Sequence, residues 1–151
     1  MIRPTRETDH AALIGLAVAC GLFEPAQTEL LAELLRSPSS SDVWFTDELD
    51  GVPVGVAYLA PEKMTSGTWN LYWIAVHPDF QRQGRGREML EFVKRWLRDR
   101  GQRLLIVETA GTADFEYVRR FYHRNGFEAE GRIRDFYDAG VDKIVYRGLF
   151  G

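Results

Sequence analysis

Leu71-Tyr72-Trp73-Ile74-Ala75-Val76 runs directly into His77-Pro78-Asp79-Phe80-Gln81-Arg82-Gln83-Gly84-Arg85-Gly86, and the fold turns on this stretch. The first six residues complete a β-rich run from Thr68 to Val76, the longest strand candidate in the chain. The two glycines open a helix from about Gly84 to Arg100, with Leu90, Val93 and Leu97 on one face, Glu91 placed to pair with Arg95, and Gly101 as its stop. Arg103 to Thr109 then reads as a compact buried strand. Strand, loop, helix and strand in that order predict a crossover at the centre of a sheet.

Working outward, Ile2 to Thr5 reads as a short strand, and Thr8 or Asp9 as the cap of a helix that Gly21 ends. Pro25 suits the first turn of a second helix carrying Leu30, Leu31, Leu34 and Leu35, and Ser37 to Ser41 is the most loop-like segment. Val43 to Thr46 and Val54 to Leu59 are β-rich runs around Asp50-Gly51, a hairpin signal. Phe115 to Asn125 reads as a helix ended by Gly126, and Phe127 to Tyr137 and Asp142 to Leu149 as a last hairpin around Ala139-Gly140. The order is βααβββαβαββ, an α/β (α+β) class with one mixed sheet covered by helices.

The length of 151 residues fits a single domain spanning 1–151, and 45% hydrophobic with 27% charged residues is an ordinary globular composition. A net charge of −3 argues against a global polyanion-binding surface. The lone Cys20 and three scattered histidines offer neither an internal disulfide nor zinc spacing, so no metal is expected. The thirteen uncharged residues from Ala11 to Phe23 superficially resemble a signal peptide, but Glu7 and Asp9 spoil a basic leader. The run is too short to span a bilayer, and Leu13, Leu16, Ala17 and Cys20 form a helical core stripe. The expectation is a cytoplasmic protein with no membrane partner.

The loop carries the chemistry. Amides at a helix start lack internal partners and sit at the positive end of the helix dipole, so a turn through Gly84 and Gly86 suits a phosphate, with Arg82, Arg85 and Arg87 adding charge. A dinucleotide fingerprint fails because Met89 stands at its third glycine and the first glycine follows Val76 by eight residues; a Walker loop fails for want of Gly-Lys-Ser or Gly-Lys-Thr. A plain solvent-exposed loop is the alternative.

Gln81, Gly84 and Gly86 match the pattern Gln or Arg, two residues, Gly, one residue, Gly or Ala. With Ile74-Ala75-Val76-His77-Pro78 and Phe121-Tyr122-His123-Arg124-Asn125-Gly126-Phe127, the chain resembles the GNAT superfamily of acetyl-CoA-dependent N-acetyltransferases over nearly its whole length, most strongly from Leu71 to Tyr137. The resemblance implies a mostly antiparallel sheet of about seven strands flanked by about four helices and splayed between strands 4 and 5. It implies that Ile74, Ala75 and Val76 bind the pantetheine arm, that the loop at Arg82, Gln83, Gly84, Arg85, Gly86 and Arg87 receives the pyrophosphate, and that a backbone N–H near Val76 meets the oxyanion. Homodimers are common in the family.

Acyl transfer to an amine needs a base for the nucleophile and a proton for the departing thiolate. Glu108, a carboxylate ending the apolar run Leu104 to Val107, is the candidate base, with desolvation raising its pKa; pairing with a nearby arginine is the plainer reading. The resemblance makes Tyr122 the general acid. The family's asparagine seven residues before that tyrosine is Phe115 here, so Thr112 or Asp114 substitutes or the contact is absent. The Thr109–Phe115 segment is longer than in relatives that acetylate protein N-termini, so their substrate is not carried over.

For the acceptor, a small-molecule or peptide amine, the candidates are Tyr72, Asp135 and Tyr137, within a wider set of Tyr58, Trp69, Trp73 and Phe136 of which strand alternation turns only part to one face. Asp135 reads either as a partner for a cationic acceptor or as a salt bridge to Lys143 or an arginine. Two competing functions are a non-catalytic CoA-binding domain and a nucleic-acid-binding module built on the stretch Arg82 to Arg103, which holds eight basic residues against three acids. The alternation of Lys94, Arg95 and Arg98 with Glu91 and Asp99 is what a solvated helix face shows, so no nucleic-acid partner is expected.

Overall fold

The computed structural model describes residues 1–21, 28–37, 41–148 and 150. Its elements are β1 (Ile2–Pro4), α1 (His10–Ala19), α2 (Thr28–Arg36), β2 (Val43–Leu49), β3 (Val52–Pro61), β4 (Thr68–Val76), α3 (Arg85–Asp99), β5 (Leu104–Ala110), α4 (Glu116–Arg124), β6 (Phe127–Asp138) and β7 (Val141–Gly148). Single 3-10 turns lie at Glu7–Asp9, Pro78–Phe80 and Ala113–Phe115. The order matches the sequence expectation, with ends shifted by a few residues. Pro25, Pro38 to Ser40 and Leu149 lie outside the described residues, so expectations resting on them have no counterpart here. The strands form a seven-stranded mixed sheet in the order β1-β2-β3-β4-β5-β7-β6, antiparallel where described except for the parallel β4–β5 pair. That pair runs from Thr68↔Leu104 to Leu71↔Val107, and Glu108 to Ala110 then pair with Val145 to Lys143 of β7.

The chain divides into two compact units, Met1–Ala60 with Trp73–Phe92, and Pro61–Tyr72 with Val93–Gly151. In the first unit, Leu13, Leu16 and Ala17 of α1, Leu31 and Leu35 of α2 and Val56 of β3 form one apolar cluster, with Cys20, Trp44, Trp73 and Ala75 packed against it. Leu30 lies outside this stripe and is 71% exposed, because neighbouring helical positions point about 100° apart and Leu31 and Leu35 hold the inner face. Asp50 (φ 51°) and Gly51 (φ 80°) make the two-residue, left-handed turn that joins β2 to β3. Asp9 does not cap α1 with its side chain. Its carboxylate accepts from the Arg6 N–H (2.7 Å) and forms a buried two-pronged pair with Arg3 (2.7 and 2.9 Å), which Glu48 joins at 3.0 Å.

In the second unit, Val93 and Leu97 of α3, Leu105 and Val107 of β5, and Phe127 of β6 are fully buried. Trp69 packs edge-on against Trp96 and donates to Gln102 at 2.9 Å. β6 ends the sheet order, and its residues Glu128 to Asp138 are exposed. Register shifts at Ala129/Gly131 and Ile133/Asp138 and alternating charges interrupt this edge, which is how natural sheets discourage further pairing. Among the described residues no helix is long and apolar enough to cross a membrane, and no cluster of His, Cys, Asp and Glu could hold a metal.

Two stability tests follow from this packing. A Cβ at Gly148 would collide with the buried Phe127 ring, so Gly148→Ala should lower unfolding free energy by about 2 kcal/mol in a urea titration. Arg3 holds the Asp9 carboxyl below the usual aspartate range. A depressed folded value means this stabilisation is complete above an ordinary aspartate pKa of about 4 and disappears as pH falls through the lower folded value. Asp9→Asn should therefore cost about 3 kcal/mol at pH 7 and flatten the acid limb of the stability–pH curve.

Candidate active site

The glycine-rich loop belongs to the first unit. After Val76 the chain makes the 3-10 turn Pro78–Phe80, where the His77 side chain accepts from the Asp79 N–H at 3.1 Å. It then passes through two left-handed residues, Arg82 (φ 62°) and Gly84 (φ 80°), before α3 starts at Arg85. The Gly84 carbonyl accepts from the Glu88 N–H at 3.0 Å, so the helix is already closed behind amides that have no partner inside it. No atom would meet a Cβ at Gly84 within 4 Å, which leaves open space over the turn. Exposed backbone donors, open space and a helix start suit a diphosphate.

The arginines divide their work. Arg82 and Arg87 are exposed, whereas Arg85 turns to the buried Asp47 at 2.9 Å, so its side chain is committed to β2. Ile74, Ala75 and Val76 are half-buried at the end of β4. The Val76 carbonyl accepts from Gln81 Nε2 (2.8 Å) and the Cys20 thiol (3.3 Å), which fixes the strand exit from both sides. Gly55 permits close approach to the other edge, since a Cβ there would stand 3.4 Å from the Ala75 carbonyl.

The titratable groups gather in the second unit. Glu108 is ion-paired through Oε2 with Lys143 of β7, and its Oε1 accepts from Asn70 Nδ2 at 2.7 Å. The sequence reading offered an arginine as the plain partner; the partner is a lysine. Lys143, one of the partners weighed for Asp135 beside a cationic acceptor or an arginine, also stands over the Phe136 ring at 4.0 Å. The same Asn70 Nδ2 donates to Glu62 Oε1 at 2.9 Å, and the Tyr72 hydroxyl donates to that oxygen at 3.1 Å. Asn70 is 1% exposed, while Tyr72 is 53% exposed. Neither Asn70, Glu62 nor Lys143 was a sequence candidate for a role beside Glu108. Asn70 was visible as the polar residue inside the run Trp69 to Val76, two places before Tyr72 and thus on the same strand face.

Tyr122 of α4 is 5% exposed and packs against Phe127 and Tyr146, with ring centres 5.5 and 6.0 Å away. Burial, then the neighbouring Tyr137, pushes its phenol well above the ordinary tyrosine range, so it stays protonated. Tyr137 is itself raised, by burial and by the negative charge of Glu108, which links the two candidate catalytic groups through one residue. Asp135 sits at φ 55° and accepts from the Gly140 N–H at 2.8 Å, so its carboxylate clasps the β6–β7 turn. At the position where an asparagine was expected, Phe115 ends a 3-10 turn, and Thr112 donates to Asp114. Arg119, also unforeseen, donates to the carbonyls of Ala110 and Thr112, both at 2.8 Å, and holds this loop against α4.

The geometry can be set beside known proteins. The family model described as "Acetyltransferase (GNAT) family" matches residues 14–127. A GNAT-family structure from Desulfovibrio desulfuricans is 34% identical, with 100% of this chain and 99% of that chain covered and a TM-score of 0.92. The ribosomal-protein-S18-alanine N-acetyltransferase of Escherichia coli is 24% identical over 100% of this chain and 94% of that one (TM-score 0.82). The PaiA N-acetyltransferase of Thermoplasma acidophilum, solved with coenzyme A, is 18% identical over 99% and 98% (TM-score 0.75); these last two show the shared fold. A search of curated proteins found no match. With a family model over most of its length, a glycine-rich turn opening α3 and a 34% identical relative covered end to end, the chain belongs to the GNAT family of acetyltransferases.

Proposed function

We propose that the protein is an N-acetyltransferase that moves the acetyl group of acetyl-CoA to a primary amine, borne by a small molecule or a peptide, by direct attack in a ternary complex. One observation carries this reading: a half-buried carboxylate, Glu108, acts electrostatically on Tyr137, which in turn acts on a buried phenol that stays protonated, Tyr122. Such a pair has the two protonation states that amine acylation needs, an acceptor of one proton and a donor of another. Structural neighbours named as ribosomal-protein-alanine and aminoglycoside acetyltransferases act on amines of both kinds, which supports an amine acceptor.

The roles follow from the groups. Acetyl-CoA supplies the activated acyl thioester. The amides of Gln83 to Arg87 and the exposed Arg82 and Arg87 bind its diphosphate, and the backbone of Ile74 to Val76 receives the pantetheine arm. Glu108 takes a proton from the incoming ammonium; the freed amine bonds to the acyl carbon as the carbon–sulfur bond breaks. Tyr122 gives its proton to the leaving sulfur; the acylated nitrogen still carries one proton more than a neutral amide and gives it up through solvent, which reprotonates Tyr122, while Glu108 releases its own to solvent. Lys143 neutralises Glu108 until an acceptor ammonium takes its place.

The basic stretch that suggested nucleic-acid binding is used internally. Arg85 pairs with Asp47, Lys94 donates to the Asn125 carbonyl, Arg100 stacks on Trp96, and Arg103 donates to the Ser66 carbonyl. At least half of its eight cations are thus tied to the protein's own atoms, which weakens the case for a free polyanion-binding face.

Thiol release from acetyl-CoA, screened over amino acids, polyamines, aminoglycosides and peptide N-termini, should reveal the acceptor; no release with any amine, joined to no heat on titration with coenzyme A, would end this reading. Tyr122→Phe should lower kcat about 100-fold or more while CoA affinity measured by calorimetry stays within twofold. Glu108→Gln should abolish the rise of rate with pH. Gly84→Ala, which places a side chain at φ 80°, should cost about 1 kcal/mol of stability and weaken CoA binding.

A further inference from the structure

Asn70 is the most deeply buried polar side chain among the groups around Glu108, and it has one task in the structure. A primary amide carries two N–H donors on one nitrogen. Here Nδ2 reaches Glu62 Oε1 at the end of the β3 region and Glu108 Oε1 on β5, at 2.9 and 2.7 Å. Two bonds of these lengths spread from one amide nitrogen place the carboxylate oxygens about 5 Å apart. The arrangement also fixes which way the amide faces, since a carbonyl oxygen turned toward two carboxylates would be repelled. The remaining Oδ1 is buried and has no hydrogen-bond partner.

The charges beside Asn70 do not balance. Glu108 has Lys143, but among the described residues no cation pairs with Glu62, whose Oε1 takes only the neutral donors of Asn70 and Tyr72. Two carboxylates against one ammonium leave one negative charge over, close to the half-exposed ring of Tyr72. A protonated amine on an organic group complements such a place: the ammonium answers the spare carboxylate and the apolar part lies on the aromatic ring.

We infer that Glu62 binds the acceptor as its ammonium ion and that Asn70 is a positioning residue, holding Glu62 and Glu108 at the spacing over which that nitrogen moves from its binding carboxylate to the one that takes its proton. The inference rests on the proposed transferase reading for its last step, but the binding step stands apart from turnover. The acceptor class is an amine that is cationic at neutral pH, with an apolar segment next to the nitrogen. The proton lost at Glu108 is the one that distinguishes ammonium from nucleophilic amine, and no other reactant is required.

The test uses the full chain and n-butylammonium chloride as the probe. In a 15N-labelled sample the side-chain amide signals of Asn70 report the two carboxylates directly. They should shift saturably with n-butylammonium but not with sodium chloride or n-butanol, and Glu62→Gln should weaken the titration at least tenfold. No shift in the wild type, an equal shift with n-butanol, or an unchanged titration in Glu62→Gln overturns the assignment. In thiol-release kinetics with n-butylamine, the Glu62→Gln loss should fall on KM, at tenfold or more, rather than on kcat. Asn70→Ala should lower kcat at least tenfold and displace its pH dependence, because Glu108 is then faced by Lys143 from β7 and Tyr137 from β6 without its link to Glu62. Coenzyme A heat equal to wild type in Asn70→Ala separates this from misfolding; an unmoved pH profile there overturns the positioning role. A wild type that shifts with n-butylammonium, yet releases no thiol with any amine of the screen and gives no heat with coenzyme A, would instead retain the ammonium site and reject the transferase reading.

Discussion

A carboxylate removed from water must be answered by a cation or by donated hydrogen bonds, and that requirement organises both units of this chain. In the first, Asp47 on β2 is buried and is met by Arg85, the first residue of α3. The pair ties the start of the helix to a strand and so holds the glycine-rich turn just before it. In the second, Glu108 is answered by Lys143 and Asn70, which fixes where this carboxylate stands on β5. Arg3 with Asp9 and Glu48 repeats the device beside α1. Each pair contributes less to net stability than to position, since desolvation offsets much of the attraction.

What could be read in advance followed the range of the interactions involved. The turn at Gly84 and Gly86, the hairpin at Asp50-Gly51 and the helix stripe of Leu90, Val93 and Leu97 depend on residues a few places apart, and they stood out in the chain as written. Leu30 misled because one residue along a helix is enough to leave an apolar stripe. The partners of Glu108 were not legible for a different reason. Asn70, Lys143 and Glu62 lie 38, 35 and 46 positions away from it in the chain, and only strand pairing brings them together. Lys143 had been considered beside Asp135, a neighbour across the hairpin, where local reasoning naturally places it.

The Glu108 carboxylate on β5 is consequently a different object from the desolvated base or arginine partner that the sequence suggested. An ammonium and an amide hold it, and a tyrosine that feels its charge connects it with the buried phenol of α4. Groups in such a network act as a set, so single substitutions report on the set as much as on one member.

Arg82 carries a last implication. A non-glycine residue in the left-handed region is held against a steric cost of about 1 kcal/mol or more, and nothing in regular secondary structure demands it at this place. Folding has thus wound the loop ahead of any ligand, so an arriving anion meets donors already at rest and loses less freedom in being bound. Selection on this position would then come from occupancy rather than from folding: replacement by glycine would relax the backbone and leave the fold intact, while making the empty loop wander.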